Sequence, residues 1–169
     1  MSLDVFKLDG RIALVTGGNR GLGFAMSRAL AEAGADVVVT SRQLEKAQAS
    51  AAGLTSITGR RALGLPVDVT DSQQVKNMID AIMQEFGHID ILVNNAGINI
   101  RKPLEEFDEA SWDHVQNTNL KAPFLCSRAV APYMKQQRSG RIINVASMLA
   151  SPAWPNAAPI APAKAAFSN

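Results

Sequence analysis

Five short runs dominated by valine, isoleucine and leucine recur along the chain, at 11–16, 36–40, 61–67, 90–94 and 141–146, and stretches with helical spacing separate them. Strands that are apolar without alternation are buried on both faces, and parallel strands need a crossover long enough for a helix. The pattern therefore specifies an α/β architecture. Because crossovers are right-handed, the expected form is a doubly wound parallel sheet with helices on both faces. The clearest helix lies between Asp71 or Ser72, either of which can cap it, and Gly87, with Val75, Met78, Ile79, Ile82, Met83 and Phe86 along one stripe. An earlier helix is expected to present Leu22, Ala25, Met26, Ala29, Leu30 and Ala33 on one face and to end at Gly34. A weaker one is expected over 43–52, and a long one over 111–136, kinked at Pro123 and Pro132. The alanine- and proline-rich remainder from Met148 is expected to re-enter a helix near Lys164. No repeat or linker divides the sequence, so 1–169 reads as a single domain.

Charge narrows the partners. Seventeen basic and fifteen acidic residues leave a net charge of +2, too small to argue for nucleic acid or an anionic membrane. No apolar run approaches the roughly 20 residues of a membrane span, and residues 1–4 have no signal-peptide character. The lone cysteine, Cys126, permits no intrachain disulfide and fits a reducing cytoplasm, where it reads as a small buried apolar residue. Neither His88 nor His114 has companions at metal-ligand spacing, so no metal is expected.

Between the first strand and the first helix lies Thr16-Gly17-Gly18-Asn19-Arg20-Gly21-Leu22-Gly23. Glycines here let the backbone approach a pyrophosphate closely, and the following helix aims its free N–H groups at the anion. Alone, such a turn could merely be tight. It is joined by Asp68-Val69 after the third strand, Asn94-Asn95-Ala96-Gly97 after the fourth, Asn119 on the long helix and Ser147 after the fifth strand. In this order the motifs resemble the short-chain dehydrogenases/reductases over nearly the whole chain.

The resemblance implies a Rossmann-type dinucleotide-binding domain. It implies cofactor contacts at Gly17, Asn19, Arg20, Gly21, Leu22, Gly23, Ser41, Arg42, Asp68, Val69, Asn95, Ala96, Gly97 and Lys164. It also implies Ser147 as the catalytic serine, Asn119 as the asparagine that organises a water-linked proton path, and Lys164 as the lysine beside the nicotinamide ribose. The choice of nucleotide can be read from charge. About 20 positions after the glycine turn, where an acidic residue would bind the ribose 2′-hydroxyl of NAD, stand Ser41 and Arg42. No carboxylate repels a 2′-phosphate there, and Arg42 with Arg20 can pair with one. NADP(H) is the expected cofactor, with NAD(H) as the alternative.

Two departures stand out. The family's tyrosine, the proton donor to the substrate oxygen, belongs four residues before Lys164 and thirteen after Ser147, where this sequence has Ile160. Isoleucine has no proton to give, and the lone tyrosine, Tyr133, reads as structural. Family members also continue further, so the sheet is expected to be truncated after its fifth strand and the chain to be part of a longer enzyme, or misread around 155–164. The competing expectation is a pseudoenzyme that keeps the nucleotide cleft and lacks the general acid.

Residues 97–105 and 144–149 resemble the members acting on gluconate-type sugar acids, where Arg101 or Lys102 could pair with a carboxylate, although exposed loop charges would look the same. The implied activity is interconversion of a secondary alcohol and a carbonyl in a small-molecule substrate. The implied assembly is a homodimer or homotetramer through the long helix and the one bearing Lys164, with Trp112, Phe124 and Leu125 as candidate contacts, although burial within one subunit would explain them equally well.

Overall fold

A strand turns successive side chains to opposite faces, so a strand apolar throughout needs cover on both. The structure is a computed structural model and describes residues 3–147 together with Ile160 and Ala163. Five parallel strands, β1 (Ile12–Val15), β2 (Asp36–Ser41), β3 (Ala62–Pro66), β4 (Ile91–Asn94) and β5 (Arg141–Asn144), form one sheet in the order β3-β2-β1-β4-β5. On one face Leu14, Val38 and Leu92 pack with Val75, Met78, Ile79 and Ile82 of α3 (Ser72–Phe86) and with Leu125, Cys126 and Val130 of α5 (Ala122–Gln137). On the other, Ala13, Val15, Val37, Val39 and Val93 pack with Ala31 of α1 (Gly21–Glu32) and with Ala51 and Leu54 of α2 (Leu44–Thr58). This is the doubly wound sheet that the strand pattern implies. Each fully buried Val or Leu is worth about 1.5–3 kcal/mol, which is what holds the two layers to the sheet.

The helices depart from expectation in three places. α1 buries Gly23, Ser27 and Ala31, whereas Leu22, Ala25 and Ala29 lie exposed and Met26 and Leu30 are half-buried. The reason is close approach: a Cβ at Gly18 would stand 2.9 Å from Ser27 Oγ, so only small side chains fit beneath this helix. α2 runs past 52 to Thr58, because Gly53 faces open space without breaking it, and it stops at Gly59, whose φ of 71° suits glycine. The expected long helix is two helices, α4 (Glu109–Gln116) and α5, joined by a π-helical turn at Asn117–Lys121. Pro123 explains the wider turn. It has no N–H for the Asn119 carbonyl four residues back, and its ring would clash with that carbonyl in an α-helix. α5 continues through Pro132. Of the three candidate contacts between copies, Leu125 belongs to the core, the alternative the sequence left open, while Trp112 and Phe124 are exposed.

The chain leaves β1 for β2 and β3 on one side and returns to place β4 and β5 on the other. At such a switch point the loops leaving β1 and β4 diverge above and below the sheet, and a crevice opens at the strands' carboxyl ends.

Candidate functional site

The crevice begins at the turn after β1. Gly17 and Gly21 have φ of 63° and 54°, a left-handed conformation natural to glycine. The turn is held by side chains as well as by its own backbone. Gly17 N–H donates to Thr40 Oγ1 at 3.1 Å, and the N–H groups of Asn95 and Ala96 both donate to Thr16 Oγ1 at 3.0 Å. Asn95 Nδ2 donates back to the carbonyls of Thr16 and Gly17, at 2.9 and 3.3 Å. The loops after β1 and β4 are thereby tied together. Gly23 is fixed by space: a Cβ there would lie 2.3 Å from the Gly17 carbonyl oxygen and 2.5 Å from Asn95 Nδ2. At Arg20, the residue that precedes α1, no side chain caps the helix, so the first-turn N–H groups keep no side-chain acceptor.

Above this turn is a cavity of about 590 Å³. Its lining includes every described residue that the sequence pattern nominates for a nucleotide, from Gly17 through Ser41, Arg42, Asp68 and Val69 to Gly97. Arg20 and Arg42 carry no ion pair among the described residues. Asp68 is the carboxylate in the lining, and its Oδ1 accepts from Thr70 N–H at 2.9 Å and from Thr70 Oγ1 at 2.7 Å. Sequence reasoning missed Thr40, Gln43, Lys46, Ile98, His114 and Thr118, which also line the cavity. Gln43 and Lys46 had a signal, since both follow Arg42 at the start of a helix. His114 and Thr118 had none, because their place depends on how α4 packs.

Of the nominated catalytic residues, the described ones, Asn119, Ser147 and Ile160, are not among the lining residues. Asn119 is fully buried in the π turn, where Oδ1 accepts from Ile98 N–H at 2.9 Å and Nδ2 donates to Ile98 O at 2.8 Å. Its amide therefore pins the loop after β4. Ser147 follows β5 and is half-buried. Ile160 is helical and 9% exposed. Lys164 lies outside the described residues. Lys102 Nζ is held by Asp108 Oδ2 at 2.9 Å. This hydrogen bond, then those from Ser111, hold the Asp108 carboxyl well below the usual carboxylate range. Arg101 is exposed and has no ion pair among the described residues. Burial pushes the Cys126 thiol up to about 12, which makes it an inert core residue. Among the described residues no cluster of His, Cys, Asp or Glu could hold a metal, and no helix is long and apolar enough to cross a membrane.

The arrangement fits a dinucleotide. The glycine turn leaves room where Cβ atoms would stand, the start of α1 offers amide donors, and cations stand at the far end. Comparison with known proteins agrees. A family model described as short chain dehydrogenase matches residues 11–169. The chain is 40% identical over 166 residues to gluconate 5-dehydrogenase of Gluconobacter oxydans (strain 621H), covering 98% of this chain and 64% of that protein. To 2-dehydro-3-deoxy-D-gluconate 5-dehydrogenase of Dickeya dadantii (strain 3937) it is 43% identical over 150 residues, covering 88% and 58%. The crystal structure of NAD+-bound xylitol dehydrogenase superposes with a TM-score of 0.90 at 31% identity, covering 95% of this chain and 62% of that one. The chain thus spans about three fifths of the length of these relatives. With the motifs, the sheet and the family match in agreement, this chain belongs to the short-chain dehydrogenase family.

Proposed function

We propose that the protein is an NADP(H)-dependent oxidoreductase that interconverts a secondary alcohol and a carbonyl, with a sugar acid as substrate. The observation that carries this reading is the cavity at the switch point, lined by the glycine turn, Asp68, Asn95 and Arg42, which has no ion pair among the described residues. Gly17, Asn19, Gly21, Leu22 and Gly23 hold the pyrophosphate against the start of α1, and Asp68, Val69, Ala96 and Gly97 seat the adenosine and its neighbouring ribose. Ser41, Arg42 and Arg20 take the 2′-phosphate in place of the carboxylate that would favour NAD(H). When bound, the nicotinamide supplies or accepts the hydride. Ser147 donates a hydrogen bond to the substrate oxygen, Lys164 holds the nicotinamide ribose, and Asn119 keeps the Ile98 loop in place beside a water-linked proton path. Arg101, which has no ion pair among the described residues whereas Lys102 is held by Asp108, pairs with the substrate carboxylate. The names of the gluconate-acting relatives support the substrate class. Family likeness supports a homodimer or homotetramer in the cytoplasm, in which the exposed Trp112 and Phe124 are covered.

A second reading, a nucleotide-binding protein without the general acid, is favoured by Ile160. An aliphatic group cannot protonate the substrate oxygen, and such assistance is worth on the order of 10²–10⁴ in rate. Following NADPH absorbance with 5-keto-D-gluconate and other keto sugar acids separates the two. The expected result is slow turnover by the native sequence and a gain of about 10²–10⁴-fold in Ile160→Tyr. NADPH binding without turnover in either form would select the second reading and reject the first.

A further inference from the structure

Seven of the sixteen lysines and arginines among the described residues have an acidic partner, Lys7 with Asp4 among them. Arg11 meets Asp90, Arg28 Glu32, Arg60 Asp36, Arg61 Glu85, Lys76 Asp80 and Lys102 Asp108. Three of those without one line the nucleotide cavity. Arg20, Arg42 and Lys46 all line it, and none has an ion pair among the described residues. Lys46 stands one turn before Ser50 on α2, and Ser50 Oγ donates to the Gly18 carbonyl at 3.5 Å, so this helix face is turned toward the glycine turn. Ala47, the next residue, is buried against β3, where a Cβ on Gly64 would lie 2.3 Å from its carbonyl oxygen. Lys46 itself is exposed and lines the cavity. The place is also poor for a cation on helical grounds alone. Lys46 is in the first turn of α2, where the helix dipole disfavours positive charge, and Glu45 of the same turn makes no ion pair with it among the described residues.

We propose that Lys46 is a third cation for the 2′-phosphate of the bound nucleotide and a residue that sets the preference for NADPH over NADH. The inference rests on the NADP(H) reading given above and adds to it a residue the cofactor motif does not contain. A 2′-phosphate carries up to about two negative charges at neutral pH on three acceptor oxygens, which leaves room for a donor beside Arg20 and Arg42. Arg42 supplies a planar fork at the end of β2, and Lys46 supplies a point charge one helical turn on. NADH lacks that phosphate and gives Lys46 nothing to bind.

The test is titration of nucleotide fluorescence with NADPH and NADH, on the whole chain, in the native protein and in Lys46→Gln, Lys46→Arg and Arg42→Gln. Lys46 is exposed, so its replacement leaves the fold in place, which circular dichroism checks. Lys46→Gln is expected to weaken NADPH by about threefold to tenfold while NADH changes less than twofold, and Lys46→Arg to restore most of the loss. Raising the salt concentration should narrow the difference between native protein and Lys46→Gln. Equal weakening of both nucleotides, or unchanged NADPH affinity, would overturn the assignment of Lys46. If Arg42→Gln loses the preference and Lys46→Gln keeps it, the Lys46 assignment fails and the cofactor reading stands. If the native protein binds both nucleotides equally, the cofactor reading fails and takes the Lys46 assignment with it.

Discussion

At the scale of single residues, the site is a set of short polar contacts around glycines that no larger residue can replace. Gly23 is the sharpest case, since a methyl group there would collide with the Gly17 carbonyl and the Asn95 amide that hold the turn. Gly23→Ala is expected to lower unfolding stability by about 1–3 kcal/mol and to weaken NADPH at least tenfold, read by urea unfolding and by fluorescence titration. Unchanged affinity would mean that the turn is not the phosphate seat. The glycines and Arg42 were legible in the sequence because their chemistry is local. The hydroxyls of Thr16 and Thr40 were not. Each accepts an N–H from a distant segment, and which segment comes near is decided by the sheet order alone. Asn95 was legible as part of a motif, but its grip on the glycine turn across nearly eighty residues of sequence appears only once β1 and β4 are neighbours.

Among the elements, those whose apolar periodicity is strong fold as the pattern says. α3 has its stripe at Val75, Met78, Ile79 and Ile82 buried, Asp71 as its cap and Gly87 as its end. α1 misleads because its close packing on the sheet selects glycine, serine and alanine, and the bulkier stripe is left to solvent or half-cover. The π turn was hidden for a related reason: Pro123 and Asn119 are individually ordinary, and their spacing of four becomes telling only once both lie in one helical run. The cap of α3 yields a pH prediction. Asp71 Oδ1 accepts from the N–H groups of Gln74 and Gln73, and these bonds, with that from Gln74 first, lower its pKa below 3.8. The lowered group stabilises the folded chain fully above its unfolded pKa, and the effect fades as pH falls through the lower folded value. Asp71→Ala should therefore shift the urea midpoint downward at pH 7 and by less near pH 3. A shift of equal size at both would show that the ionised carboxylate is not what caps the helix.

For the molecule as a whole, two apolar layers clamp the sheet while the carboxyl ends of its strands stay open to form one cavity. That division was legible in the alternation of strands and helices. The edge at β5 was too, and the structure leaves Ile142 and Ile143 there 37% and 44% exposed. The catalytic end was legible only as motif positions, of which Ile160 is buried in a helix and Lys164 lies outside the described residues. What the whole account depends on is that this cavity is a seat for a nicotinamide nucleotide. Titration calorimetry of NADPH into the folded protein tests that most directly. The account predicts saturable heat at one site per chain, weakened by salt because the phosphates meet Arg20 and Arg42. Absence of heat with both NADPH and NADH, on protein whose circular dichroism shows it folded, would contradict it.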